Sequence, residues 1–280
     1  MAPDEVVRHS TLKKVPFGKS GMMVTECCLG TMTWGSFNAQ EEEAQAQLDK
    51  AILDLGVNFI DTAELYPVAF NYGKTTEQWI GNWLADRVKQ GRLKRSDVYI
   101  ATKANCARIG GFPDGETRPD NYCYSFDADI LEASCRASLA RLQCDYIDLY
   151  QLHWPTRDVP VFGCASFSPK GHNRPMPFSD EIPAGSPGYD LFERQVAAVK
   201  RLLDKGLIKH WGLSNENAFG ISMFCVAADK LGVPRPVSCQ NVRIRFICHH
   251  LPSDHQSLFP QPHCAPPNPW YHAPCRTSRF

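Results

Sequence analysis

The sequence predicts an α/β protein, a (β/α)8 TIM barrel in which six of the eight β/α units are recognisable, preceded by a β-hairpin. Three observations predict it. Short apolar runs alternate with longer amphipathic segments from residue 24 to residue 241. No Gly-x-Gly-x-x-Gly follows the first run, so the dinucleotide fingerprint of a doubly wound sheet is missing. Polar residues also end nearly every apolar run: Asp61, Lys103, His153, Ser214 with Asn215, and Gln240. In a barrel those ends converge on one mouth.

The elements follow in order. "VPFGKSGMMV" sets turn residues between two apolar pieces and reads as a hairpin. "VTECCLGTM" (24–32) reads as a short buried strand ending at Gly30. "NAQEEEAQAQLDKAILDLG" predicts a helix capped by Asn38, with Glu41 three residues on as in a capping box and Gly56 as its stop. Helical spacing puts Leu48, Ile52 and Leu55 on its inner face. "VNFID" (57–61) is a continuous apolar run, as a strand covered on both faces should be. Helix 75–91 then places Trp79, Ile80, Trp83 and Leu84 inward. Strands 97–103, 145–154, 207–215 and 236–241 alternate with helices 127–143, 189–205 and 216–232. A Pro, Gly and Ser-rich stretch, 155–188, interrupts the rhythm as a long loop.

The chain has 280 residues, and its 30 Lys and Arg balance 30 Asp and Glu. That balance offers nothing to nucleic acid. No run approaches the ~18 apolar residues of a membrane span. The start lacks an apolar signal-peptide core, so the twelve cysteines read as reduced thiols of a cytoplasmic protein. No Cys-x-x-Cys occurs, and the spacing of His263, Cys264, His272 and Cys275 matches no zinc pattern, so no metal is expected. Residues 242–280 differ in character: they hold seven of the 21 prolines and five of the nine histidines, with no glycine or lysine. They read as an irregular or disordered tail after a barrel spanning 1–241. Such text would also arise from a frameshift, a retained intron or a gene-model error.

Asp61, Tyr66, Lys103 and His153 make a coherent chemical set. A phenol titrates near 10, too high for easy proton donation at neutral pH. An ammonium beside Tyr66 would lower its pKa. Asp61 would hold Lys103 in place, and His153 would orient an incoming carbonyl oxygen. The set suits reduction of an aldehyde or ketone, with hydride supplied by a nicotinamide or flavin.

The runs "LGTMTWG", "FIDTAELYP", "IATK", "DYIDLYQLHWP", "GLSN" and "SCQN" resemble the aldo-keto reductases, most closely the branch that contains the Tas-type proteins. The resemblance spans residues ~10 to 241 in order. It implies an NADPH-dependent barrel that reduces small-molecule carbonyls, with Tyr66 as general acid, Asp61 and Lys103 as its tuning pair and His153 as orienting donor. It implies that Ser214, Asn215 and Gln240 hold the nicotinamide carboxamide, with Thr31 and Met32 bordering the cofactor. Trp34, Tyr72 and Trp154 would line the substrate pocket or pack at the rim. It stops at Asn241, before the seventh and eighth strands and the loop that would bind the adenosine phosphates. Two other readings stand beside it: a truncated, catalytically impaired or nucleotide-sensing relative, and a lyase using Lys103 as a Schiff base. The sequence leaves the oligomeric state open.

Overall fold

A computed structural model of the chain describes residues 12–35, 40–67, 75–105, 126–156 and 189–241. Strand β1 (Lys14–Pro16) pairs antiparallel with β2 (Met23–Thr25), with Val15 opposite Val24. The turn between them closes through the Phe17 amide on the Met22 carbonyl at 2.9 Å. Gly18 sits there at φ +55, where a Cβ would lie 2.9 Å from the Val237 carbonyl oxygen. Only glycine meets both demands without strain.

Six strands form one parallel sheet in chain order: β3 (Leu29–Gly30), β4 (Phe59–Asp61), β5 (Tyr99–Ala104), β6 (Ile147–Leu152), β7 (Ile208–Ser214) and β8 (Cys239–Gln240). Helices α1 (Glu41–Leu48), α2 (Thr75–Lys89), α3 (Ala128–Leu142), α4 (Tyr189–Asp204) and α5 (Ala218–Leu231) alternate with them. Sequential parallel neighbours joined by helical crossovers are the arrangement of a (β/α)8 barrel carried to its sixth strand. Among the described residues, β3 and β8 each have one neighbour in the sheet.

Two apolar layers hold the sheet. Outside, Ile60, Ile100, Tyr150 and Leu213 pack with Leu48, Ile80, Leu131, Val199 and Phe224 of the helices. Inside, Phe59, Ala101 and Leu149 meet Met22 and Val24 of the hairpin, and the Phe17 ring lies edge-on to Phe59 at 5.3 Å. Strand side chains repeat every second residue on a face. Phe59, Ala101 and Leu149 therefore share a face with Asp61, Lys103 and Gln151, one pleat lower. The hairpin fills the floor of the interior, and the polar residues stand above it. Helices α2 and α3 approach so closely at Gly81 that a Cβ there would overlap the Arg141 carbonyl oxygen.

Several sequence expectations need correction. The 24–32 run is two strands, because Val24 and Thr25 pair with β1 and only Leu29–Gly30 joins the sheet. It is not uniformly buried either, since Cys27 and Cys28 are exposed. Helix α1 takes Gln40 as N-cap without a side-chain bond, so Glu41 is its first residue rather than the far side of a capping box. Asn38 lies outside the described residues. After α1 the chain widens into a π-helical turn, Asp49–Asp54, marked by the Leu55 amide on the Lys50 carbonyl at 3.1 Å. A wider turn shifts the helical phase, and Leu55 points outward, 51% exposed, while Ile52 stays buried. Trp79 is only half-buried, though Ile80, Trp83 and Leu84 face inward as expected. The stop at Gly56 holds, with positive φ, and Gly206 after α4 and Gly232 after α5 share that conformation.

No described helix is long and apolar enough to cross a membrane. Loop 157–188 and tail 242–280 lie outside the described residues, as does Tyr72.

Candidate active site

Asp61 ends β4, Lys103 lies near the end of β5, and His153 follows β6. The short loop after Asp61 carries Tyr66 back over them. Its backbone continues the ladder, with the Thr62 amide on the Ala101 carbonyl at 2.8 Å and the Glu64 amide on the Lys103 carbonyl at 3.1 Å. The Tyr66 amide then closes a turn onto Ala63 at 3.0 Å, before a cis Tyr66–Pro67 peptide.

Lys103 Nζ donates to both Asp61 carboxylate oxygens at 2.8 Å, to the Thr62 carbonyl at 2.8 Å and towards the Tyr66 hydroxyl at 3.4 Å. Its side chain is 1% exposed and that of Asp61 14%. The His153 ring meets the Tyr66 ring edge to face, with centroids 5.8 Å apart. The four expected groups therefore form one cluster.

Their electrostatics differ from the sequence expectation in one respect. Lys103 does not bring the Tyr66 pKa down. Burial, and then the Asp61 charge, push the phenol well above its usual range. The ammonium lies closer to both Asp61 oxygens, at 2.8 Å, than to the hydroxyl, at 3.4 Å. Burial also pulls Lys103 below its usual value, against the opposing pull of Asp61. Tyr66 is thus held protonated.

His153 is held neutral, since burial and then the Lys103 charge depress its pKa well below 6.5. Its Nδ1 is buried and has no hydrogen-bond partner among the described residues. A stranded N–H there is the costlier state, so the ring proton belongs on Nε2. A neutral imidazole protonated at Nε2 is a hydrogen-bond donor without net charge.

The His153 shift has a measurable consequence. Between its depressed native value and 6.5, the unfolded chain binds a proton that the native ring refuses. Stability must therefore rise with pH through that window and fall on acidification, by up to ~1.4 kcal/mol per pH unit. A His153→Gln variant should lose less melting temperature than the parent between pH 7 and pH 5. An equal loss would show that the ring does not titrate on unfolding.

Beside the cluster, Ser214, Asn215 and Gln240 gather at the ends of β7 and β8. Ser214 Oγ donates to the Gln240 carbonyl at 3.0 Å, and Asn215 Nδ2 donates to the His153 carbonyl at 3.0 Å. Asn215 adopts φ +53, a left-handed conformation that asparagine tolerates better than most residues. Gln240 Nε2 donates to Asp61 Oδ2 at 3.3 Å, across the interior from β8 to β4. Thr31 Oγ1 donates to the Asp61 carbonyl at 2.9 Å, and Met32 is 47% exposed nearby in sequence. Trp154 is buried, its ring centroid 6.4 Å from that of His153.

Trp34 is 1% exposed within the helix–sheet core, and its indole N–H donates to Gln47 Oε1 of α1 at 2.9 Å. Its position supports packing rather than substrate contact, because α1 supplies the acceptor that the buried N–H needs.

Other residues serve the site without having been singled out in the sequence. Gln151, 2% exposed, donates through Nε2 to Gln240 Oε1 at 3.2 Å. Asn241 grips the Glu216 backbone twice, accepting from its amide at 3.0 Å and donating to its carbonyl at 2.7 Å. Period-2 alternation does place Gln151 two residues before His153, but polarity inside an otherwise apolar strand was the only signal. Among the described residues, no cluster of His, Cys, Asp or Glu could hold a metal ion.

An acid, an ammonium, a phenol and an imidazole thus converge at the C-terminal strand ends, the end at which barrels carry their sites. Comparison with known proteins narrows the class. Residues 26–246 match the model of the Aldo/keto reductase family, and the chain belongs to that family. It is 38% identical to Protein tas of Escherichia coli strain K12 over 224 residues, covering 79% of this chain and 57% of tas. It is 41% identical to an aldo-keto reductase of Babesia bovis over 158 residues, 55% of this chain and 50% of the relative. The crystal structure of the thermostable aldo-keto reductase Tm1743 in complex with the inhibitor epalrestat superposes with a TM-score of 0.53 at 25% identity. That match covers 81% of this chain and 61% of Tm1743. The chain thus spans roughly half to two-thirds of the length of these relatives.

Proposed function

We propose that the protein is an NADPH-dependent oxidoreductase that reduces aldehydes or ketones to alcohols, with Tyr66 as the general acid. The observation that carries this reading is the contact set of Lys103, whose Nζ binds Asp61 and reaches the Tyr66 hydroxyl beside His153. His153 Nε2 would donate to the carbonyl oxygen and fix its position. Tyr66 would release its proton to that oxygen as charge develops, and the Lys103 ammonium, 3.4 Å from the hydroxyl, would steady the phenolate left behind.

The cofactor fits the donor set beside the cluster. A carboxamide offers one acceptor and two N–H donors, and the hydroxyl of Ser214 with the side-chain amides of Asn215 and Gln240 complements both. Those three residues would hold its nicotinamide end, with Thr31 and Met32 at its border and Trp154 against the substrate. When bound, NADPH supplies the hydride that no side chain can give. Lys103 as a Schiff-base nucleophile fits less well, because its ammonium already serves Asp61, Thr62 and Tyr66.

We further assign residues 1–241 to the barrel, 242–280 to a separate tail, and the protein to the cytoplasm. The described cysteines, Cys27, Cys28, Cys135, Cys144, Cys225 and Cys239, are all free thiols.

The full chain should quench and shift the fluorescence of added NADPH, and an aldehyde panel should then consume its reduced-nicotinamide absorbance. Binding without consumption by any aldehyde or ketone would favour a nucleotide-sensing relative. Absence of both would sink the enzyme reading for this chain.

A further inference from the structure

Tyr66 lies at the end of a loop, yet its hydroxyl must stay within about an ångström of one place to serve as an acid. What fixes that loop lies behind it. Glu64, two residues before Tyr66, is 6% exposed, an expensive place for a carboxyl group unless it is bonded. Its Oε2 accepts from Ser134 Oγ of α3 at 2.5 Å and from the Asn105 amide, just past β5, at 3.1 Å. Ser134 Oγ lies in turn 3.1 Å from the Tyr150 hydroxyl of β6. Arg141 stands 4.0 Å from Glu64 Oε1, but it pairs with Glu77 at 2.6 Å, so its charge is largely committed elsewhere. Thr62 Oγ1, another polar group of the same loop, is buried without a hydrogen-bond partner among the described residues. Among the described residues, Glu64 thus ties this loop to α3 and to the chain just past β5, behind the contacts that Lys103 makes from the front.

We propose that Glu64 is a positioning residue: anchored by Ser134 and the Asn105 amide, it holds the Ala63–Pro67 turn so that the Tyr66 hydroxyl stays within reach of Lys103. The effect on turnover rests on the reductase reading above; the effect on Tyr66 itself does not. Glu64→Ala removes both anchors and leaves the Ser134 hydroxyl with Tyr150 alone. Glu64→Gln keeps the shape and one acceptor oxygen.

The test uses the full chain and two readouts. The first is nitration of Tyr66 by tetranitromethane, located by peptide mass spectrometry and referred to Tyr99 and Tyr146. Tyr66 is 7% exposed in the parent and should react slowly. In Glu64→Ala its rate should rise about 10-fold as the loop opens locally, with Ser134→Ala rising less and Glu64→Gln least. The second is steady-state reduction. Glu64→Ala should lower kcat by about 100-fold while the NADPH dissociation constant moves little, and Glu64→Gln should recover most of that loss. Unchanged nitration of Tyr66 in both Glu64→Ala and Ser134→Ala would overturn the proposal. If the parent itself turns over nothing, the reductase reading falls, and nitration alone still decides the role of Glu64. If Glu64→Ala does not fold, Ser134→Ala and Glu64→Gln carry the comparison.

Discussion

Replacing Tyr66 with Phe is expected to lower carbonyl reduction by about 10²–10⁴-fold, the usual worth of a positioned general acid. The substitution deletes one oxygen and keeps the ring that packs against His153 at 5.8 Å. Cofactor affinity should stay within a few-fold of the parent, since Ser214, Asn215 and Gln240 are untouched. Stability should change little, because the lost Lys103 contact is the longest of that ammonium's four at 3.4 Å. Steady-state kinetics with an aldehyde, beside an NADPH titration, separates the two effects. Turnover near the parental rate would mean that another group, or water, delivers the proton.

The second large effect is on folding. Asp61→Ala leaves the Lys103 ammonium 1% exposed and holding only the Thr62 carbonyl and the Tyr66 hydroxyl. Stranding one partner of a buried pair typically costs about 3–5 kcal/mol. For a domain of this size the melting temperature should fall by roughly 10 °C. The double variant Asp61→Ala with Lys103→Met tests the cause. Removing the second charge should restore most of the lost stability, because a well-packed apolar side chain avoids the desolvation cost. A double variant no more stable than Asp61→Ala would show that the cost lies in the Asp61 packing and not in an unpaired ammonium. Both variants should be inactive, so stability and turnover part company in the double.

These two sites also show what can be read along the chain. Asp61, Lys103 and His153 were legible because each ends an apolar strand run, and parallel strands deliver their ends to one side. Tyr66 was harder, since a loop residue has no periodicity to place it; its chemistry beside Asp61 and Lys103 singled it out, and the resemblance to the aldo-keto reductases agreed. Trp34 was left between pocket lining and packing at the rim, and its indole N–H finds its acceptor on α1. The α1 boundary failed. Asn38 and Glu41 have the spacing of a capping box, yet spacing alone does not say where the first helical hydrogen bond forms. Leu55 failed because a π-helical turn breaks the 3.6-residue phase, and nothing in "LDKAILDLG" announces it.

The sequence by itself determined the alternation of strands and helices, the glycine stops, the hairpin and the types of group presented to the mouth. Those depend on local spacing and backbone preference, which neighbouring residues set. Tertiary structure alone decided how the groups act on one another. It put the Tyr66 hydroxyl where burial, and then the Asp61 charge, raise its pKa although Lys103 Nζ lies 3.4 Å away. It also left His153 Nδ1 buried without a partner and set Glu64 against Ser134, 70 residues away in the chain. Electrostatic influence follows distance and burial, and neither is written in the order of the residues.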